Sequence, residues 1–554
     1  MRNDEYLFRY EEWKKNLTDE KLKYELFSLN AYDIKERFYR ELSVGTGGLR
    51  GILGVGTACL NVYTVSKITA GIAVYMRKKG LTPKVAVSYD SRINSDLFAR
   101  TAASVFASHG IMALITHELM PTPFLSYAVR SESCGMGVMI TASHNPAEYN
   151  GYKVYGADGC QITDTVAGEI AAEISACGYF GNGGENFDAF LLDGSIRYVE
   201  ENVEEGYLKS IKSRLTREIG NVSVTYTPLH GTGRRIIPKL LRERGAVSLR
   251  LVESQMSADG NFPTCPYPNP EKSEALKLGV ETASKTDSDI LVATDPDADR
   301  IGVAVRTEGG YVLLSGNETG TLLCDYVLSQ LKENGKMPER PVVCKTIVTT
   351  DMIKEICNEY GAETVEVLTG FKYIGETVGK LEKENRLSDF VLGLEESYGY
   401  LVNPCVRDKD AVSASAVVCE MASYYKERGK TLVDVLRGLD EKYGLFESKL
   451  TAYSYPGASG AEKMKNLIDR LRCNAPERIG GERIVSVTDY LYDNTGLPKS
   501  NVLSFVTETG AKVIIRPSGT EPLVKAYLFT RGTADENAKR LFAFGRGVDA
   551  LLKD

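Results

Sequence analysis

A short polar stretch, Thr141–Pro146, follows the apolar run Gly137–Ile140 and carries residue types that could do chemistry. The apolar run predicts a buried strand, and small polar residues at the end of a strand present their side chains at the edge of a sheet. The Ser143 hydroxyl is therefore a candidate nucleophile. The alternative is a local turn in which serine, histidine and asparagine side chains only bond the backbone.

The stretch Asp295–Arg300 places carboxylates at alternate positions between two apolar runs, Ile290–Thr294 and Ile301–Val305. Asp295, Asp297 and Asp299 would repel one another in a tight loop unless a cation neutralised them, which favours a hard, oxygen-seeking ion. The spacing is not that of an EF-hand, because an arginine occupies both the glycine position and the final glutamate position. A solvated acidic turn is the alternative.

Two further loops combine arginine with glycine or hydroxyl groups, a composition that binds anions. The stretch Arg516–Pro522 lies between two predicted strands, and Gly45–Gly51 is dense in glycine, with Arg50 as a charged donor. The second loop lacks the lysine of a Walker A loop and the last glycine of the dinucleotide-binding pattern. A hairpin turn and a plain tight turn are the respective alternatives.

Two polar loops, Thr369–Lys372 and Gly393–Gly399, follow apolar runs later in the chain. Glu395 beside Ser397 offers acceptors and a donor, which suits recognition of sugar hydroxyls. Surface loops also carry such residues without a ligand, so composition alone leaves both interpretations open.

Together these loops resemble those of the phosphohexose mutases, the superfamily of phosphoglucomutase and phosphomannomutase. The string T-A-S-H-N-P is similar to their active-serine loop, D-P-D-A-D-R to their magnesium loop, and R-P-S-G-T-E-P to their distal-phosphate loop. The string G-L-E-E-S is similar to the sugar-selecting loop of glucose-type members. The resemblance covers nearly the whole chain, with the loops in family order. Departures are Pro296 and Leu394, where glycine is common, and Leu523, where many relatives carry lysine, with Lys525 two residues on.

The resemblance implies that Ser143 is carried as phosphoserine and that Asp295, Asp297 and Asp299 hold Mg²⁺, which also touches that phosphate. The phosphoryl group would pass to a sugar monophosphate through a glucose 1,6-bisphosphate intermediate. We expect proton transfer by Lys153, His144 and Lys409, with burial near cations lowering the pKa of a lysine. We expect phosphate stabilisation by Arg50 and Arg300, and closure of the fourth domain over the cleft. The remaining substrate contacts implied by the resemblance come from Lys372, Glu395, Ser397, Arg516, Ser518, Gly519 and Thr520.

Several functions stay open at this stage. Glu395, Glu396 and Ser397, the chain length and the charged N-terminal extension favour interconversion of glucose 1-phosphate and glucose 6-phosphate. Mannose, glucosamine and pentose phosphates are alternatives of the same class. A serine-nucleophile metallophosphatase and a non-catalytic phosphosugar-binding protein belong to other classes. Acyl hydrolysis is disfavoured, because no G-x-S-x-G elbow is present and the chain has only four histidines.

The chain that positions these loops repeats one plan three times. The plan recurs over 85–115, 222–252 and 342–368, and it consists of an apolar strand, a polar loop, a helical stretch, a breaking glycine and a second apolar strand. We therefore predict an α/β protein with three related α/β domains, mixed sheets between helices, and a smaller C-terminal α+β domain around a central cleft. The predicted bounds are 1–205 with an N-terminal helical extension, 206–325, 326–445 and 446–554. A helix is expected near 199–215 and an amphipathic helix near 534–552.

Composition limits the partners. With 554 residues the chain is too long for one core, and its net charge of −7 argues against nucleic acid. Eleven cysteines without a C-x-x-C pair give no support for zinc knuckles and suggest a reducing cytosol. We expect a cytoplasmic, soluble protein without a membrane partner, acting on a small sugar phosphate as a monomer or homodimer.

Overall fold

The computed structural model describes residues 5–45, 47–455, 458–518 and 523–553, and the chain begins with three short helices. Asp19 and Asn30 cap the second and third helices by accepting the backbone NH of Leu22 and Asp33. Trp13 is fully buried against the rings of the main body, so the predicted packing of this extension is confirmed. The helices are α1 (Glu5–Asn16), α2 (Glu20–Ser28) and α3 (Ala31–Phe38).

The first α/β domain has a six-stranded mixed sheet in the order β1-β5-β4-β2-β3-β6. Strands β2, β3, β4 and β6 run parallel, whereas β5 is antiparallel to both β4 and β1. Its elements are β1 (Leu49–Ile52), α4 (Val62–Lys78), β2 (Lys84–Tyr89), α5 (Ser95–Ser108), β3 (Met112–Ile115), α6 (Thr122–Ser131), β4 (Met136–Ile140), β5 (Tyr149–Gly156), α7 (Asp164–Ala176), α8 (Phe187–Leu192), β6 (Ile196–Tyr198) and the exit helix α9 (Glu201–Lys212).

The second domain has a five-stranded sheet in the order β11-β10-β9-β7-β8, again with parallel and antiparallel pairs. Strands β9 and β10 are the apolar runs predicted around the aspartate loop. The elements are β7 (Ser223–Thr227), α10 (Gly233–Glu243), β8 (Ser248–Leu251), α11 (Glu253–Met256), α12 (Ser273–Lys285), β9 (Ile290–Thr294), β10 (Ile301–Thr307) and β11 (Gly310–Leu314).

The third domain has a four-stranded sheet in the order β13-β12-β14-β15. Strand β14 ends at Glu395, so the polar Glu396–Tyr398 turn lies at a strand end, as expected for a binding loop. The elements are α13 (Gly316–Glu333), β12 (Val342–Thr346), α14 (Met352–Tyr360), β13 (Glu363–Val367), α15 (Phe371–Lys383), a 3₁₀ turn (Leu387–Asp389), β14 (Phe390–Glu395), β15 (Gly399–Leu401), α16 (Ala411–Lys426) and α17 (Leu432–Tyr443).

The fourth domain is an antiparallel six-stranded sheet in the order β16-β21-β20-β19-β18-β17, with two helices. Arg516 lies near the end of β20, so the anion loop joins two paired strands, as predicted. The elements are β16 (Leu445–Ser454), α18 (Ala458–Cys473), β17 (Arg478–Ile479), β18 (Glu482–Asp489), β19 (Leu503–Thr507), β20 (Lys512–Pro517), β21 (Leu523–Gly532) and α19 (Ala534–Leu552).

The threefold strand-helix-strand repeat is confirmed. Each repeat contains a parallel pair, β2 with β3, β7 with β8, and β12 with β13. Gly110, Gly245 and Gly361 follow the three helices at φ of 74°, 81° and 69°, the left-handed conformation in which glycine ends a helix without a steric penalty. Each repeat therefore directs its polar loops to the carboxyl edge of a parallel strand pair.

The domains share buried contacts that bring these edges together. One apolar cluster runs continuously through the second and third domains, and a smaller one joins the third to the fourth through Ile347, Val348, Ile514 and Tyr527. Lys512 of β20 also forms an ion pair with Asp351 at 2.9 Å. Within the described part of the chain, no helix has both the length and the apolar character needed to span a bilayer.

Candidate active site

Ser143 lies in the turn that follows β4 and is 2% exposed. Its φ of 53° is left-handed, a conformation that a serine adopts only when surrounding contacts hold it there. Its backbone NH donates to Thr141 Oγ1 at 2.8 Å, and its own Oγ donates to Asp295 Oδ2 at 2.8 Å. The predicted nucleophile and the first predicted metal ligand are thus in direct contact.

Asp295, Asp297 and Asp299 form a buried cluster whose carboxylate oxygens lie within 4.8 Å of one another. Asp297 Oδ1 and Asp299 Oδ1 are buried and have no hydrogen-bond partner among the described residues. Burial, and then the charges of Asp297 and Asp299, raise the pKa of Asp295 well above its usual range. Unpartnered, mutually repelling carboxylate oxygens fit a hard divalent cation, which would relieve both costs.

Two lysines offset part of this charge. Lys153 Nζ, on β5, donates to Asp297 Oδ2 at 2.7 Å and to Asp299 Oδ2 at 3.0 Å, and Lys409 Nζ lies 3.3 Å from Asp299 Oδ2. Burial alone would lower the pKa of either lysine, but the neighbouring carboxylates outweigh it and raise both values. The expected lowering of a lysine pKa is therefore wrong for this arrangement, because the carboxylates around each ammonium outweigh its cationic neighbour, Lys409 for Lys153 and Arg300 for Lys409.

His144 lies beside the serine, with Nδ1 3.2 Å from Ser143 Oγ. Burial lowers the pKa of His144 well below its usual range, and the positive charges of Arg300 and Arg50 act in the same direction. The imidazole is consequently neutral near pH 7, and the lowered pKa makes it a weak base.

A cavity of about 510 Å³ opens next to this cluster and is lined by all four domains. The first two domains contribute Arg50, His144 and Arg300, the third contributes Glu395 and Ser397, and the fourth contributes Arg516 and Lys525. The predicted central cleft is thus lined by cationic groups from the first, second and fourth domains and by a carboxylate and a hydroxyl of the third-domain loop. A phosphorylated polyol matches this distribution of charge and hydrogen-bonding groups.

The fourth domain supplies a lysine to the cavity although Leu523 stands where many relatives carry lysine. Arg516 on β20 pairs directly with Lys525 on β21, and both side chains line the cavity. Ser518 lies at the end of the same hairpin, where its NH donates to Leu523 O at 2.7 Å. Gly519 and Thr520 fall outside the described residues.

Family models match three successive parts of the chain. The α/β/α domains I, II and III of phosphoglucomutase/phosphomannomutase match residues 41–178, 198–310 and 315–443. Phosphoglucomutase of Staphylococcus haemolyticus is 36% identical over 511 residues, covering 89% of this chain and 91% of that protein. Phosphoglucomutase of Staphylococcus aureus is 34% identical over 534 residues, covering 93% and 94%. The chain belongs to the phosphoglucomutase/phosphomannomutase family.

A solved structure of a phosphoglucomutase/phosphomannomutase family protein from Burkholderia thailandensis has a TM-score of 0.67 to this chain. At 20% identity, with 91% of this chain and 96% of that one covered, it supports the shared fold. The predicted family and fold class are confirmed, and the chain is an enzyme of the phosphoglucomutase/phosphomannomutase family.

Among the predicted site residues, Lys372 is placed differently. Its Nζ lies 3.1 Å from Asp164 Oδ2 and over the ring of Tyr373, and it is not among the described residues that line the cavity. The first-domain carboxylate holds it at the seam between the first and third domains. The substrate contact predicted for Lys372 stays a prediction, and its ammonium is positioned by the Asp164 ion pair.

Four residues near the site were missed by the sequence analysis. Thr122 donates to Asp297 Oδ2 at 2.7 Å, and Glu271 accepts from Arg300 at 2.6 Å. Asp408 accepts from Lys409 Nζ at 3.1 Å, and Arg92 bonds the serine loop. Glu271 ends the proline-rich stretch 262–271 and Arg92 ends a polar loop after β2, so both positions carried a weak signal in the sequence.

Proposed function

We propose that this enzyme interconverts glucose 1-phosphate and glucose 6-phosphate through a phosphoserine at Ser143 and a glucose 1,6-bisphosphate intermediate. One observation carries the proposal. The turn that carries Ser143 lines one cavity through His144 and Asn145, and the Arg516–Lys525 pair lines the same cavity together with Glu395 and Ser397. A reactive centre, a second anion site and a hydroxyl-binding wall are what a phosphosugar needs if it is to react in two orientations.

The reaction assigned to the serine end is phosphoryl transfer. The bond between Ser143 Oγ and phosphorus breaks as a bond from the sugar hydroxyl oxygen forms, and the hydroxyl proton passes to a base. In the return step the other phosphate of the bisphosphate passes to Ser143. Such transfer depends mostly on positioning and charge stabilisation. Asp295, Asp297 and Asp299 would hold Mg²⁺, which supplies charge neutralisation for the phosphoryl group.

The proton carriers follow from the surroundings of each group. His144 Nδ1 lies 3.2 Å from Ser143 Oγ, which places it within reach for proton acceptance. Lys153 and Lys409, held charged by the carboxylates, suit stabilisation of phosphate, whereas their raised pKa values oppose release of a proton. Arg50 and Arg300 line the cavity on the same side and add positive charge.

The preference for glucose rests on the sugar loop and on the named relatives. Glu395 is 8% exposed and lines the cavity with Ser397, so an acceptor and a hydroxyl are available to a ligand there. The Staphylococcus relatives are named phosphoglucomutase. We further propose that the fourth domain closes over the bound sugar, because water would otherwise hydrolyse the phosphoserine.

The test is a coupled assay of glucose 6-phosphate formation from glucose 1-phosphate, with Mg²⁺ and a trace of glucose 1,6-bisphosphate. Ser143→Ala is assayed beside Ser131→Ala, a matched control at the end of α6 whose Oγ donates to Ala128 O of its own helix. We expect rapid turnover in the wild type and the control and no turnover in Ser143→Ala.

Other outcomes separate the alternatives. Release of inorganic phosphate at the rate of substrate loss would indicate a phosphatase. Turnover only with mannose, glucosamine or pentose phosphates would reassign the sugar. Binding of these compounds without turnover of any of them would refute the enzymatic proposal.

A further inference from the structure

Arg92 is a buried arginine in the loop that follows β2, and its side chain is 0% exposed. Its guanidinium donates to the backbone carbonyls of the loop that carries Ser143. Nη2 donates to Ser143 O at 2.6 Å and also to Asn145 O. Nη1 donates to Pro146 O at 2.8 Å and to Tyr149 O at 2.9 Å. One side chain therefore satisfies four carbonyls of a single turn.

The guanidinium is itself fixed from two sides. Asp90 Oδ2 lies 3.4 Å from Arg92 Nε and also accepts from Thr141 Oγ1 at 2.6 Å. The guanidinium carbon lies 5.0 Å from the centre of the buried Phe262 ring. Asp90 and Phe262 come from separate domains, so the contact network spans the boundary at which Ser143 meets Asp295.

Thr141 connects this network to the nucleophile directly. Its Oγ1 donates to Asp90 and accepts the NH of Ser143 at 2.8 Å, while Arg92 holds the carbonyl of the same serine. Both peptide groups that flank the Ser143 side chain are thereby anchored. A serine at φ 53° needs such anchoring, because its free chain favours negative φ.

We propose that Arg92 is a positioning residue that holds Ser143 in its left-handed conformation and aims its Oγ at the aspartate cluster. The inference rests on the proposed phosphoserine function for its kinetic consequence, but its structural part does not. The planar guanidinium suits the role because its five fixed donors reach several carbonyls at once, which a single ammonium group does not reproduce.

The experiment compares Arg92→Lys and Arg92→Met with the wild type in the full-length protein. Hydrogen exchange followed by mass spectrometry reports on peptides covering 141–150 and, as a fold reporter, on α4. Steady-state kinetics with glucose 1-phosphate give kcat and KM, normalised to the fraction of molecules with protected α4. Arg472→Lys is the matched control, since Arg472 is 11% exposed and bonds Asp469, Asp489 and Asn501 in the fourth domain.

In Arg92→Met we expect faster exchange over 141–150 with α4 unchanged, about a 100-fold lower kcat, and a KM within threefold of the wild type. Arg92→Lys should recover part of the exchange protection over 141–150 and part of kcat. The split between kcat and KM is expected because the sugar and distal phosphate contacts come from other domains. Loop exchange and kcat within twofold of the wild type in a folded Arg92→Met would overturn the proposal.

Two further arms keep the outcome decisive. If both substitutions unfold α4, Phe262→Leu removes the ring that packs on the guanidinium, so Arg92 is held less firmly on the loop and exchange over 141–150 should rise. Wild-type exchange in that variant would count against the positioning role of Arg92. A wild type without mutase activity combined with a loosened loop in Arg92→Met rejects the proposed function alone. An active wild type with an unchanged Arg92→Met rejects the positioning role alone.

Discussion

Replacing Asp440 with asparagine should stabilise the protein at neutral pH. Asp440 of α17 lines a crevice between the third and fourth domains together with Glu318 and Glu447, and Lys449 is the one basic residue among the described residues that line it. Burial, followed by the charges of Glu318 and Glu447, raises the pKa of Asp440 from 3.8 to about 6. The ionised carboxylate is therefore disfavoured in the folded state.

The sign follows from proton linkage. Because the folded protein binds the Asp440 proton more tightly than the unfolded chain, the unfolding free energy falls as the pH rises between about 4 and 6, and this contribution is constant above the window. If the full rise in pKa acted on stability, ionised Asp440 would lower the unfolding free energy by at most about 3 kcal/mol. Solvent screening at this partly exposed carboxyl reduces the expected cost to about 1 kcal/mol.

Thermal unfolding followed by circular dichroism at pH 4.5 and 7.5 measures this effect. Asp440→Asn should raise the melting temperature by about 2–4 °C at pH 7.5 and by less at pH 4.5. Asp434→Asn, one turn and a half earlier on the same helix, is the opposite control. Asp434 accepts from the Thr431 hydroxyl and NH, hydrogen bonds that lower its pKa and cap the helix, so its loss should destabilise at pH 7.5 by about 1 kcal/mol. The electrostatic argument would be refuted if Asp440→Asn did not raise the melting temperature at pH 7.5, or if it raised the melting temperature equally at both pH values.

Three other outcomes are expected. Asp297→Asn should lower kcat at saturating Mg²⁺ by about 100-fold. Chelation of the wild type should abolish activity, and added Mg²⁺ should restore it. Isothermal titration with Mn²⁺ measures the loss of metal binding in Asp297→Asn. Lys525→Met should raise KM for glucose 1-phosphate about 10-fold with a smaller change in kcat, since a charge-assisted hydrogen bond contributes about 1.5–3 kcal/mol; Lys499→Met, on an exposed turn, should leave KM unchanged. Trp13→Ala should destabilise the first domain by about 3–5 kcal/mol, because the indole is fully buried against four aromatic rings, and chemical denaturation measures it.

Local patterns were sufficient to predict the elements that carry the site. The alternation of apolar strands, polar loops and helix-ending glycines predicted all three strand-helix-strand units, because each feature is encoded within about 30 residues. The loops containing Ser143 and Asp295 were placed at strand ends for the same reason, and both lie there. Family membership followed from long loop strings that the comparisons confirm.

Contacts between domains could not be predicted from those patterns. The direction of the Lys153 and Lys409 pKa shifts depends on which charges face each ammonium, and Asp299, which acts on both lysines, lies more than 100 residues from either of them along the chain. Lys372 forms an ion pair with Asp164 of another domain, and the charge of the lysine alone did not predict that partner. The type of a side chain does not specify its partner in another domain, because that partner is set by how the two folded domains pack.

The sequence by itself determined the strands, the helix stops, the serine and aspartate loops, and the family. Only the tertiary structure decided that Ser143 Oγ meets Asp295, that Arg516 and Lys525 share one cationic edge, and that Arg92 bonds four carbonyls of the serine loop. The physical reason is range. Backbone periodicity and turn chemistry act over a few residues, whereas a buried polar site is completed by groups that approach only when four domains have packed together.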